Sequence, residues 1–64
     1  MKIHYIDDPG YRTAVAEVDS DAVPTVGQFV KVDGKRRRVE DVEFELEFVR
    51  GRQATQSATV LLSR

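Results

Sequence analysis

From Gln28 to Val49 the chain reads QFVKVDGKRRRVEDVEFELEFV. Val30 and Val32 alternate with Lys31 and Asp33, and Asp33-Gly34 then supplies the residue pair favoured by two-residue hairpin turns. From Asp41 to Phe48 the alternation is strict, with Val42, Phe44, Leu46 and Phe48 on one face and Asp41, Glu43, Glu45 and Glu47 on the other. A helix would align Val42, Leu46 and Val49 but rotate Phe44 and Phe48 off that stripe, so the period of two predicts a strand. Val39 is at an odd position while the apolar set from Val42 onward is even. One extra residue near Glu40, a β-bulge, reconciles the two phases. A strand from Arg36 to Val49 at about 3.3 Å per residue spans about 46 Å. A compact chain of this size is only about 28 Å across, so this strand must bend or protrude.

Working outward, turn signals fall at Asp8-Pro9-Gly10, Asp33-Gly34 and Arg50-Gly51, with a looser loop from Ser20 to Gly27 that holds Pro24. They delimit five strands: Lys2 to Ile6, Tyr11 to Asp19, Gln28 to Asp33, Arg36 to Val49 and Thr55 to Ser63. Ala14, Ala16 and Val18 are expected to share one face, and Ala58, Val60 and Leu62 to point inward. Sixteen of the 64 residues are Val, Ile or Thr, whose branching at Cβ favours strands. The expected fold is all-β, a five-stranded antiparallel meander curled into a small barrel that occupies residues 1–64 as one domain.

Ten Lys and Arg against eleven Asp and Glu leave a net charge of -1, which excludes the overall basicity typical of nucleic-acid binders. A chain of 64 residues has no room for a second core, and with no cysteine it has no disulfide to supplement a small one. Self-association is a natural source of further burial. The opening run MKIHYIDD is apolar only in patches, broken by His4 and stopped by Asp7, so it does not read as a signal peptide. A cytoplasmic location without membrane attachment is the expectation.

The run PTVGQFVKVDGKRRRVEDV, Pro24 to Val42, resembles the core hairpin of small SH3-like barrels of the kind found in short bacterial and phage proteins. A Val-Gly start, alternating valines, a tight glycine turn and a bulged return strand carry the likeness over about a third of the chain. The resemblance implies an SH3-like barrel; such barrels bind proline-rich peptides, RNA, DNA or other proteins. The aromatic cluster of the peptide-binding members is missing here. The Arg run also replaces the second glycine of the KOW-type motif.

Two surfaces are candidates. The apolar row Phe44, Leu46 and Phe48 is expected to fill the core, unless the hairpin protrudes, in which case it becomes a surface for a protein partner or a second copy. The basic run Lys35, Arg36, Arg37 and Arg38 has the alternative role of contacting nucleic acid, extended by Arg12, Arg50, Arg52 and Arg64 and aided by Tyr11 or Phe29 as stacking platforms. Against it, the same four side chains can solvate a strand and pair with Glu40, Glu43 or Glu45. The acidic row reads as a solvent face that discourages edge pairing. His4 with Asp7, Asp8, Asp19 and Asp21 lacks the donor set of a zinc site, and Asp19-Ser20-Asp21 lacks the continuation of a calcium loop, so no metal or other cofactor is expected. Ser20, Ser57 and Ser63 have no nucleophile-elbow context, and Gly27 and Gly34-Lys35 are too far apart for a phosphate loop. No enzyme activity is expected.

Overall fold

The computed structural model describes residues 1–8, 10 and 14–63. Five strands form one sheet: β1 (Lys2–Ile6), β2 (Ala14–Asp19), β3 (Phe29–Val32), β4 (Lys35–Val49) and β5 (Arg52–Leu62). The predicted β1 bounds are reproduced, and β5 starts earlier than expected, at Arg52. The expected start of the second strand at Tyr11, the centre of the Asp8-Pro9-Gly10 turn, and Arg12 and Arg64 lie outside the described residues.

The all-β reading holds, but the meander does not. Strand order is β2-β1-β5-β4-β3, and β1 runs parallel to β5, Ile3 beside Ala58 and Tyr5 beside Val60. The remaining pairs are antiparallel, so the sheet is mixed. Alternation specifies which face a residue occupies, not the direction of the neighbouring strand. Here the nine-residue stretch 20–28 between β2 and β3 is long enough to carry the chain across the sheet, so β2 and β3 become its two edges instead of neighbours. The result is a sheet curled into a half-barrel.

Both tight turns have the backbone that their residues suggested. Asp33 and Gly34 have φ of 51° and 79°, and Arg50 and Gly51 have 53° and 77°. Two successive positive φ values match the right-handed twist of the flanking strands and reverse the chain in two residues. The bulge is also at the expected place: Val39 pairs with Leu62 and Asp41 with Leu61, leaving Glu40 unpaired. A second irregularity skips Ala54 between the Thr55 and Gln53 pairs, and a third skips Val15, since Tyr5 pairs with Ala16 and Ile6 with Ala14. That third bulge breaks the alternation expected along Ala14, Ala16 and Val18.

Ile3, Val39, Ala58, Val60 and Leu62 form the core, with Tyr5, Val23, Val30, Val32 and Val42 packed partly buried around it. All three inward positions expected on β5 are buried. Val39 is also tied on both sides: its N–H donates to the Gln28 carbonyl at 2.8 Å, and its own carbonyl accepts from Gly27 N–H at 2.9 Å. Leu62→Ala removes a side chain that is 1% exposed and should cost about 2–5 kcal/mol in urea unfolding. The same change at Leu46, 55% exposed on the same face of the sheet, should cost less than about 1 kcal/mol at low protein concentration.

Candidate docking arm and basic face

Strand β4 outruns its neighbours. Its pairing with β3 ends at Arg38, apart from the Val39 bonds, and β1 accompanies β5 only from Ser57 onward. Among the described residues, the stretch beyond these points, β4 to Val49 and β5 from Arg52 to Gln56, is therefore a two-stranded arm closed by the Arg50-Gly51 turn. It stretches the molecule to 42 × 24 × 18 Å, with a radius of gyration of 12.5 Å, against about 11 Å for a compact chain of this length.

The bulge at Glu40 keeps the apolar row in phase with the core. Val42 pairs with Val60, Phe44 with Ala58, Leu46 with Gln56 and, past the Ala54 bulge, Phe48 with Gln53. The core-side face thus continues outward along the arm, but nothing in the described chain covers it there. Phe44 is 57% exposed, Leu46 55% and Phe48 61%, so the expectation that this row fills the core is overturned. The cause is geometric: a strand of fifteen residues, paired with one of eleven, extends past flanking strands of four to six.

The basic run splits by parity. Arg37 and Lys35 pair with Val30 and Val32, and Arg37 Nη1 donates to Asp7 Oδ2 at 3.1 Å, a half-buried ion pair that ties the end of β1 to β4. Arg36 and Arg38 take the outer face with Lys31 and Phe29, and the Arg36 guanidinium carbon lies 3.8 Å from the centre of the Phe29 ring. That cation–π contact leaves Phe29 half exposed rather than buried as a core aromatic. Beyond the bulge, Asp41, Glu43, Glu45 and Glu47 continue on this same outer face, opposite Leu61, Thr59, Ser57 and Thr55. Basic and acidic segments therefore lie end to end along one strand. Among the described residues no ion pair joins Lys35, Arg36 or Arg38 to Glu40 or Glu45.

The remaining candidates resolve into local structure. His4 Nδ1 lies 3.2 Å from Glu17 Oε2, and Lys2 Nζ lies 3.2 Å from Glu17 Oε1. The Ser20 hydroxyl accepts from Ala22 N–H at 3.1 Å, and Ser63 Oγ accepts from Arg38 N–H at 2.9 Å. Among the described residues no three His, Asp or Glu side chains gather to hold a metal ion, and no helix is long and apolar enough to cross a membrane.

One feature had no sequence signal. Between the two edge strands lies an open cleft of about 350 Å³, with Tyr5, Val15, Ala16 and Val18 on one wall and Val30 and Val32 on the other. It exists because β2 and β3 are both edges, which depends on the parallel β1–β5 pairing. Burial raises the Tyr5 hydroxyl above its ordinary value of 10.0. The folded chain therefore holds this proton more tightly than the unfolded chain. The associated stability is full below about pH 10 and is lost as pH rises through the raised value. Urea midpoints measured from about pH 9 to 11 should fall less steeply for Tyr5→Phe than for the parent chain. Comparison with known proteins finds no matching family model, no similar curated protein and no similar solved structure.

Proposed function

We propose that the chain is a small SH3-like barrel acting as a non-enzymatic interaction module, which docks protein, including a second copy of itself, through Phe44, Leu46 and Phe48. The observation that carries this reading is the exposure of all three side chains on an arm that continues the core face. Exposed apolar side chains in a contiguous row are costly in water and mark interaction sites when they recur in phase. The non-enzymatic part rests on the sequence around Ser20, Ser57 and Ser63, which has no nucleophile-elbow context.

Nucleic-acid binding is the second reading, favoured by the outward set Phe29, Lys31, Arg36 and Arg38 with its stacked Arg36–Phe29 pair. The acidic row on the same face weighs against it, since phosphates approaching along the strand meet four carboxylates. Sedimentation with short mixed-sequence RNA and DNA at low salt separates the two. The expected result is no nucleic-acid shift, together with association of the protein that is lost in the Phe44→Ser, Phe48→Ser double variant. A complex that dissociates as salt rises, and that is abolished by Arg36→Ala with Arg38→Ala, would replace the docking reading with the basic face.

A further inference from the structure

We infer that the partner of the arm is the same face of a second copy, with two arms packed antiparallel about a two-fold axis passing near Leu46. This rests on the docking reading and commits it to one occupant.

The first support is area. The chain exposes 4813 Å², whereas a folded monomer of 7.3 kDa is expected to expose about 4,200 Å². The excess of about 600 Å² approaches the roughly 800 Å² that each partner contributes to a standard interface. Among the described residues, three of the four most exposed large hydrophobic side chains, Phe44, Leu46 and Phe48, lie on the arm that extends the molecule to 42 Å. A second arm laid on this face moves the exposed surface toward the ordinary value.

The second support is symmetry. A two-fold contact uses the same patch on both chains, and a residue on the axis meets its own counterpart. Leu46 lies midway between the arm's root at Val42 and its tip at Arg50-Gly51, with Phe44 and Phe48 flanking it. A two-fold rotation at Leu46 sets Phe44 of each copy beside Phe48 of the other. The facing positions on β5 are Gln56 and Gln53, joined by a 3.3 Å side-chain hydrogen bond, so no charge lies on this face of the arm to be desolvated.

Charge gives the third support and selects the antiparallel alignment. The arm carries Arg50 in its tip turn and Glu40 at the bulge of its root. Antiparallel arms bring each basic tip toward the other chain's acidic root, whereas parallel arms stack tip on tip and root on root. Asp41, Glu43, Glu45 and Glu47, together with Arg52 opposite Val49, lie on the outer face and point away from the contact in either case.

The chain has no cysteine, so single-cysteine variants report without background. Facing sheets pack about 10 Å apart, which a short bismaleimide spans and a direct disulfide does not. Leu46→Cys should be cross-linked into dimers at least about tenfold faster than Glu45→Cys, whose side chain lies on the outer face, with the parent chain showing a concentration-dependent dimer in sedimentation. Equal rates at the two positions overturn the face-to-face arrangement, and a parent chain that stays monomeric at millimolar concentration overturns self-association altogether. In that monomeric case a hydrophobic dye separates the two levels of inference. Dye binding that is lost in the Phe44→Ser, Phe48→Ser variant leaves an open docking face for a different protein, whereas no dye binding by the parent chain overturns the docking reading as well.

Discussion

Glu40, skipped in the β4–β5 ladder, keeps the two halves of β4 in register with a single core. Side chains alternate with a period of two, so a strand that buries Val39 would turn Val42, Phe44, Leu46 and Phe48 to the outside unless one residue is inserted between them. That insertion does two things at once. It extends the core-side face along the arm, and it also carries the outward row from Arg36 and Arg38 into Asp41, Glu43, Glu45 and Glu47. The apolar arm face and the polarised outer face are therefore consequences of one extra residue in the ladder.

What the sequence revealed follows from what is local. The Asp33-Gly34 turn, the bulge at Glu40, the bounds of β1 and the inward set Ala58, Val60 and Leu62 all depend on residues within a few positions of one another. They are legible in turn chemistry and alternation. The parallel pairing of β1 with β5 is not local, and a period of two reads the same whichever way a neighbour runs. The site was half legible for the same reason. Length arithmetic required β4 to bend or protrude, but which of the two occurs depends on where β3 stops accompanying it and where β1 stops accompanying β5. The directions of Arg36, Arg37 and Arg38 likewise followed only once the bulge was placed, and the cleft between β2 and β3 only once strand order was known.

Among the described residues the core is thin, with five clustered buried side chains. Arg37 and Asp7 supplement it with a half-buried ion pair between β4 and the end of β1, and the Lys2–Glu17 pair is more exposed and correspondingly weak. The arm adds little to this total, because a two-stranded ribbon has only cross-strand pairs and no layer beneath it. Its side chains are well placed for intermolecular contact because so few intramolecular ones engage them.

The parallel pair also shapes the order of folding. Every other strand pairing joins consecutive strands through hairpins, whereas β1 meets β5 through contacts such as Lys2 with Ser57 and Ile6 with Leu61, 55 positions apart in both cases. Closing so long a loop costs chain entropy before any burial repays it. This long-range pair joins two pieces whose own pairings are local in sequence, the β1–β2 hairpin and the β3–β4–β5 ribbon. Docking them completes the core, with Ile3 meeting Ala58 at the seam.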